Sequence, residues 1–462
     1  MRKVCIIGGG PAGLGAAYAL RRAGIDYRLF EAGPALLARR HDRADELGYG
    51  IGGAGLFSDG KFSYFPSGTG LYQLGNTPRL RQAYRAITEL LTEIGIPAPS
   101  FPSEPAALSG STTGFSHKSY GSQYGSLPQR RELVRRLCGE QDDRIRSLCE
   151  VVTAVATTQG YKVRYRELPT GELRTELFSD LVLATGRFGG TALEQLLGPP
   201  RIALQEQRYE IGIRIEHPNG RGFLGQLKDN DVKLILDGDG LQIRTFCTCR
   251  DGEVWHIPYP EGSALSGRSD GPRSGFSNFG LLPRFSGERC DQGRAIWRHF
   301  KAHLGDSRMA FWQPLPEFLG GAPVGAANDA PPQRPWQPRD HFVRGPIDQL
   351  IHSELRAALR GGLHALLAQY PDLDSPETIC LFPAIEGVGL FPATDADLKV
   401  ETESIWCCGD VAGRFRGLVP ALVSGDYVGQ AIAAKYAGKI PDGALVDFAA
   451  VRRGAGSDQL QL

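Results

Sequence analysis

Residues 3–31 decide how this chain is read: Lys3-Val4-Cys5-Ile6-Ile7-Gly8-Gly9-Gly10-Pro11-Ala12-Gly13 opens it, and Tyr27-Arg28-Leu29-Phe30-Glu31 closes the unit. Lys3 to Ile7 is an apolar run suited to a buried strand. Pro11 to Ala23 has the character of a helix, and Tyr27 to Phe30 is a second apolar run. The spacing predicts a βαβ unit with glycines at its first turn. In that setting Gly8 permits a tight turn, Gly10 lets the backbone approach a pyrophosphate, and Gly13 lets helix and strand pack closely. Pro11 and Ala12 begin the helix, whose free N–H groups and positive dipole end suit phosphate. Glu31, with Ala32 after it, ends the second strand where a carboxylate can accept hydrogen bonds from ribose hydroxyls. A dinucleotide is the expected ligand.

Bulk properties narrow the classes of partner. The chain has 462 residues, enough for two interleaved domains, with 41% hydrophobic and 22% charged residues. Its 52 basic and 51 acidic residues leave a formal charge of +1, without the excess that general nucleic-acid binding draws on. No stretch approaches the roughly 18 apolar residues of a membrane span. The first apolar run is too short for a signal peptide and breaks at once into glycine. Nine cysteines without regular spacing argue for reduced thiols rather than a disulfide framework, and so for a cytoplasmic protein.

Outward from the opening unit, Gly48 to Gly70 is glycine-dense and reads as a loop hugging a ligand. Leu80 to Ile94 and Gln129 to Cys138 have helical periodicity. Val151 to Val155 and Tyr161 to Arg166 read as a hairpin, and Asp180 to Ala184 as a strand running into Thr185-Gly186. Between Arg201 and Pro346, strands are expected at Tyr209–Glu216 and Val232–Leu236, followed by Pro/Gly-rich coil. Residues 320–339 read as a long surface connection. Ile405 to Cys408 is a last strand, leading to Gly409-Asp410 and a helix from Leu418 to Tyr436. The nucleotide-binding pattern thus occupies both ends of the chain.

Three segments sharpen the ligand. Ala184-Thr185-Gly186 after its strand, and Gly409-Asp410 followed by Gly417-Leu418-Val419 at a helix start, resemble the later motifs of two-dinucleotide-binding-domain flavoproteins. That resemblance implies FAD, with Asp410 on the ribityl chain and the helix N-terminus directed at the isoalloxazine. Gly52 to Phe62, Tyr209 to Pro218 and Arg244 to Val254 further resemble a group of bacterial FAD-dependent dehydrogenases, distantly related to tRNA-uridine-modifying flavoproteins. The resemblance runs from Arg2 to about Ala434. It implies that Gly53, Ala54, Ser58, Asp59, Gly60 and Lys61 lie along FAD, and that Val152 meets the adenine through its backbone. The sequence departs from the group at Gly267 to Leu282, where an Asn-Gly turn is expected before the serine.

The expected fold is α/β: a Rossmann-type, glutathione-reductase-like FAD-binding domain with an inserted mixed α+β substrate domain. The FAD-binding part is expected at 1–62, 130–200 and 375–440, the substrate or cap part at 63–129 and 201–374, and a tail at 441–462. Candidates for the chemistry are Lys61, His256, Cys247 and Arg416. Lys61 is equally readable as a solvated loop lysine, and His256 as a structural histidine. Cys247 and Cys249 lie i, i+2 on a strand, a spacing that resists a disulfide, so packing on one strand face is the preferred reading. Arginines 214, 244, 414 and 416 suit capture of a carboxylate or phosphate. No second glycine fingerprint is present for NAD(P)H, since Gly48 to Gly55 follows no apolar strand. The expected activity is that of an FAD-dependent dehydrogenase or oxidase taking hydride from a small-molecule substrate. Oxygen or a partner protein would be the later acceptor, and no metal is expected. A monooxygenase or reductase fed by external NAD(P)H, and a tRNA-modifying or non-catalytic flavin protein, are the alternatives. The oligomeric state stays open.

Overall fold

The apolar runs on either side of the first glycines become parallel neighbours. In the computed structural model β1 (Arg2–Ile7) pairs with β2 (Tyr27–Phe30), Val4 opposite Tyr27 and Ile7 opposite Phe30. The residues described are 2–103, 114–139, 142–188, 193–198, 202–238, 240–259, 262–305, 307–322, 333–401 and 403–438. The expected tail and part of the 320–339 connection lie outside them.

Strands β3 (Cys149–Thr157), β4 (Gly160–Glu167) and β5 (Leu173–Leu183) complete most of the first sheet. Its order is Ile145–Arg146, β2, β1, β5, β4, β3, with Ile405–Cys407 paired in parallel to β5. β5 serves two ladders: Leu173 to Phe178 runs antiparallel to β4, and Phe178 to Leu183 runs parallel to β1. Six helices exceed ten residues among the described residues: α1 (Pro11–Arg22), α2 (Thr77–Glu93), α3 (Leu127–Cys138), α4 (Cys290–Leu304), α5 (Ser353–Gln369) and α6 (Leu418–Ala437). α1 and α6 pack through small residues. A Cβ on Gly425 would overlap the Ala12 carbonyl oxygen, and one on Gly429 would lie 2.6 Å from the Ala19 Cβ. α1 and α6 therefore share one core with the sheet.

A second sheet carries β6 (Leu204–Pro218), β7 (Lys233–Gly238), β8 (Leu241–Cys249), β9 (Phe276–Ser286) and β10 (Ile379–Pro392). Its order is Phe342–Arg344, Ala310–Pro314, β10, β6, β9, β8, β7, Ser116–Lys118. Alternation on β6 splits the faces. Tyr209, Ile211, Ile213 and Ile215 join a core with Ile296 and Phe300 of α4 and Leu359 and Leu363 of α5. Arg208, Glu210 and Arg214 take the other face. Two small sheets, Gly262–Arg268/Glu253–Tyr259/Trp336–Gln337 and Lys61–Ser63/Ser122–Tyr124, bridge the parts.

Some expectations are revised. The coil expected before Pro346 contains β9 and α4. The glycine-dense Gly48–Gly70 stretch holds a helical turn at Gly53–Leu56 and a strand at Lys61–Ser63. Trp336, expected on a surface connection, is 1% exposed and donates from Nε1 to Glu216 Oε1 at 2.9 Å. Among the described residues no helix is long and apolar enough to cross a membrane.

Candidate functional site

The first turn is built as a cradle. Gly8 has φ +107° and its added Cβ would overlap the Ala184 carbonyl oxygen; an added Cβ on Gly13 would overlap the Gly8 carbonyl oxygen. Strand and helix thus touch backbone to backbone. Gly10 differs, since the nearest atom to an added Cβ is the Gly53 Cα at 3.8 Å. Nothing among the described residues requires glycine there, whereas a ligand approaching the backbone would.

Two helix starts point into this region without protein caps. α1 begins at Gly10 and α6 at Gly417 (φ +102°), and neither receives a side-chain cap bond. By contrast α2 is capped by Asn76, α3 by a Ser126–Gln129 capping box and α5 by His352, while α4 continues a 3-10 turn. Uncapped first turns hold free N–H donors suited to an anion. Leu418 and Val419 occupy the first turn of α6 and are buried; Pro11, half-buried, and Ala12, buried, occupy the first turn of α1. Beside them, Thr185 presents a buried Oγ1 with no partner among the described residues, while Gly186 has φ +76° with open space beyond. A buried hydroxyl is ordinarily satisfied, and this one finds no donor or acceptor among the described residues.

Glu31 is buried and accepts from the backbone N–H groups of Gly9 (2.7 Å), Gly33 (2.8 Å) and Gly50 (2.9 Å), tying the fingerprint to the following loop. Ala32 is half-buried next to it. Arg39 was missed by sequence reading. It is buried and donates from Nη1 to the carbonyls of Ile51 (3.0 Å) and Gly53 (2.8 Å), holding that loop against Gly10. Burial lowers its pKa to about 10 against the pull of Glu31 and Glu46. Val152 lies on the outermost strand at an irregularity that leaves it out of register between Val151 and Thr153.

Ala54 is exposed after Gly53, and the chain then turns in. Ser58 Oγ donates to the Gly55 carbonyl at 3.0 Å and accepts from the Gly60 N–H at 3.3 Å. Arg130 of α3, also missed, donates to the Ser58 carbonyl at 2.8 Å and pairs with Asp270. Lys61 is no solvated lysine: it is 8% exposed, ion-paired to Asp59 (3.2 Å) and Asp231 (3.6 Å), and donates to the Thr248 carbonyl. Burial opposes its charge, but the two aspartates outweigh it and raise its pKa.

Asp410 follows Gly409 in a 3-10 turn, and the Gly409 N–H donates to Ser424 Oγ at 3.0 Å. Asp410 accepts from Arg416 Nε (3.1 Å) and Nη2 (3.0 Å), with Arg187 Nε at 3.6 Å. Burial raises its pKa, yet Arg416 and Arg187 prevail and hold it below the usual carboxylate range. Arg416 also pairs with Glu386 and lies 3.8 Å from Glu210, bridging the α6 loop to the second sheet. On that sheet Glu210 is surrounded by Arg284 Nε (2.6 Å), Arg244 Nη2 (2.7 Å) and Arg208 Nε (3.2 Å). Lys233 and Lys118 extend the same face, paired in register, and neither has an ion-pair partner among the described residues. Burial and the neighbouring arginines lower both of their pKa values. Arg208, Arg244 and Arg284 thus gather around Glu210, with Lys118 and Lys233 beyond them.

His256 stands apart. It is 1% exposed, and its Nδ1 lies 3.0 Å from Nδ1 of His341. Burial and His341 lower its pKa to about 4. None of its described hydrogen bonds or ring contacts reaches the other candidates. Cys247 does join Lys61 and Asp59, while Cys407 and Cys408 are core residues, as expected.

Residues 6–60 match the family model described as an NAD(P)-binding Rossmann-like domain. No curated protein sequence matches the chain. Solved structures resemble it distantly. The substrate-free rebeccamycin biosynthetic enzyme REBC is 13% identical, covering 95% of this chain and 64% of its own, with a TM-score of 0.37. A flavoprotein/dehydrogenase from Cytophaga hutchinsonii and a geranylgeranyl bacteriochlorophyll reductase-like protein from Thermoplasma acidophilum are each 11% identical, covering 95% of this chain and 79% of their own, with TM-scores of 0.41. The chain spans less than two thirds of the rebeccamycin enzyme's length. At these scores the likeness assigns nothing further to this chain.

Proposed function

We propose that the chain is an FAD-dependent oxidoreductase that takes hydride from a small, anionic organic substrate. The observation that carries this is the pair of glycine-started, uncapped helices, α1 at Gly10 and α6 at Gly417, on strands of one sheet beside the unsatisfied Thr185 hydroxyl. One such end suits a pyrophosphate; a second, far along the chain, suits a long dinucleotide with another electron-rich end. The resemblance to bacterial FAD-dependent dehydrogenases supports the same reading. In it residues 1–62, 130–200 and 375–440 hold FAD, and 63–129 with 201–374 cover the substrate.

FAD, when bound, supplies the two-electron acceptor. The protein's part is orientation. Gly8, Gly10 and Gly13 admit the pyrophosphate, Glu31 serves the ribose side, and Asp410, steered by Arg416 and Arg187, serves the linker. Ser58 to Lys61 and Leu418–Val419 flank the redox end. Lys118, Lys233, Arg244 and Arg284 draw the substrate's anionic group onto the second sheet, where Glu210 fixes the arginine planes.

The test is a purified sample analysed for released FAD, then mixed anaerobically with small carboxylates and followed at the flavin band. Bleaching by a carboxylate is expected. Bleaching by NAD(P)H alone would make the protein a reductase or monooxygenase served by external nucleotide. Absence of FAD would overturn the proposal.

A further inference from the structure

Cys247 and Cys249 should diverge little along a regular strand, where i and i+2 Cα atoms stand about 6.7 Å apart, at the far end of the range a disulfide spans. The structure departs from that strand at this point. Phe246 pairs with Gly280 and Cys249 with Asn278, so β8 carries one more residue than β9 between the two pairs. Cys247 takes φ +43°, a left-handed conformation rare outside glycine. The result is a turn in the strand: the Cys247 and Cys249 sulfurs and an Asp59 carboxylate oxygen all lie within 4.8 Å of one another.

The two sulfurs differ in access and surroundings. Cys247 is half-buried, while Cys249 is fully buried. Arg214, fully buried, donates from Nη2 to the Cys247 carbonyl at 2.5 Å, and the same nitrogen stands 3.9 Å from Cys249 Sγ. Its Nη1 has no partner among the described residues. Lys61 Nζ bonds to Thr248, the residue between the cysteines. Hydrogen bonding from Cys249, with Arg214 and Lys61, lowers the Cys247 pKa against the opposing effects of burial and Asp59; the Cys249 thiol is pushed up by that same bond and by burial. A half-buried thiol with a lowered pKa ahead of a fully buried partner with a raised one is the arrangement of an attacking and a resolving sulfur. A soft divalent cation could use the same three ligands, but Lys61 Nζ is 3.2 Å from Asp59, and two positive side chains sit at the shell.

We propose that Cys247 and Cys249 form a dithiol–disulfide redox pair that reduces small disulfides. The Cys247 thiolate attacks one sulfur of the disulfide RSSR, whose S–S bond breaks to release RS⁻, which takes a proton. Cys249 passes its proton to Asp59 and attacks the Cys247 sulfur, and the second RS⁻ leaves and is protonated. The two protein thiols lose two electrons and the small disulfide gains two, giving one intramolecular disulfide and two RSH. The inference is independent of the flavin reading.

Glutathione disulfide is the probe. After incubation at pH 7, blocking with N-ethylmaleimide and tryptic cleavage at Arg244 and Arg250, the peptide Thr245–Arg250 contains only these two cysteines. It should be recovered unlabelled and two hydrogens lighter, with two glutathiones released per chain, and dithiothreitol should restore two labelled cysteines. Cys249→Ser should stop at a glutathione adduct on Cys247, and Cys247→Ser should form none. A wild-type peptide that stays doubly labelled throughout, or stoichiometric bound zinc blocking both thiols, would overturn the proposal. Cycling in a sample that holds no FAD would keep the pair and remove the flavin reading, so the two fail separately.

Discussion

Gly10 and Gly53 face each other across the mouth of the cradle, and an added Cβ on Gly10 would meet the Gly53 Cα at an ordinary 3.8 Å. Gly10→Ala should therefore leave folding stability within about 0.5 kcal/mol of wild type while FAD binding weakens at least tenfold. Gly13→Ala should instead cost about 1–3 kcal/mol or more, because its Cβ overlaps backbone at Gly8. Urea denaturation of the flavin-free proteins, with a separate FAD titration, separates the two effects. Equal loss of stability in both variants would sink the distinction.

Thr185→Val replaces a hydroxyl that finds no partner among the described residues. The flavin-free protein should be as stable as wild type or slightly more so. FAD affinity should fall by about 1 kcal/mol, roughly fivefold. An unchanged dissociation constant would show that the hydroxyl does not meet the cofactor.

Lys233→Met removes a cation whose charge is opposed by burial and by Arg244, Lys118 and Arg284. Thermal melting of the variant should be no lower than wild type's, whereas KM for an anionic substrate should rise about tenfold, or about 1.4 kcal/mol, with kcat less affected. A reduced kcat at unchanged KM would argue against a binding role.

His256 should make the protein sensitive to acid. Its folded pKa, about 4, lies below the ordinary histidine value. The stability this represents is present above about pH 6.5 and is lost as pH falls toward 4. Compared with His256→Gln, wild type should lose up to about 3 kcal/mol across that window. Urea midpoints at pH 7 and pH 4.5 measure it, and parallel losses in the two proteins would contradict it.

The opening βαβ unit was legible because each glycine answers a local need: a left-handed turn at Gly8, a backbone contact at Gly13. β5 was read only from Asp180, since Leu173 to Glu176 is exposed or half-buried and is held as a strand by its pairing with β4. α4 went unread although Ile296, Phe300 and Leu304 have helical spacing; Gly293 and the polar residues around them weaken the pattern, and Gly293 is needed for packing on Tyr209. The nearness of Cys247 to Cys249 was hidden for another reason. It depends on a bulge against β9 and on Arg214 from β6, and neither leaves a local trace in the sequence.

The packing of Gly425 and Gly429 against α1 has a consequence at the ribosome. The cradle's first wall, ending near Arg22, is made early, but its second helix begins only at Leu418. At about 5–20 residues per second, roughly 20–80 s of synthesis separate the two. During that interval α1 has no α6 to cover it, and the nascent chain must keep that apolar face from other partners. Capture of the dinucleotide has to wait until α6 has been made and reaches α1.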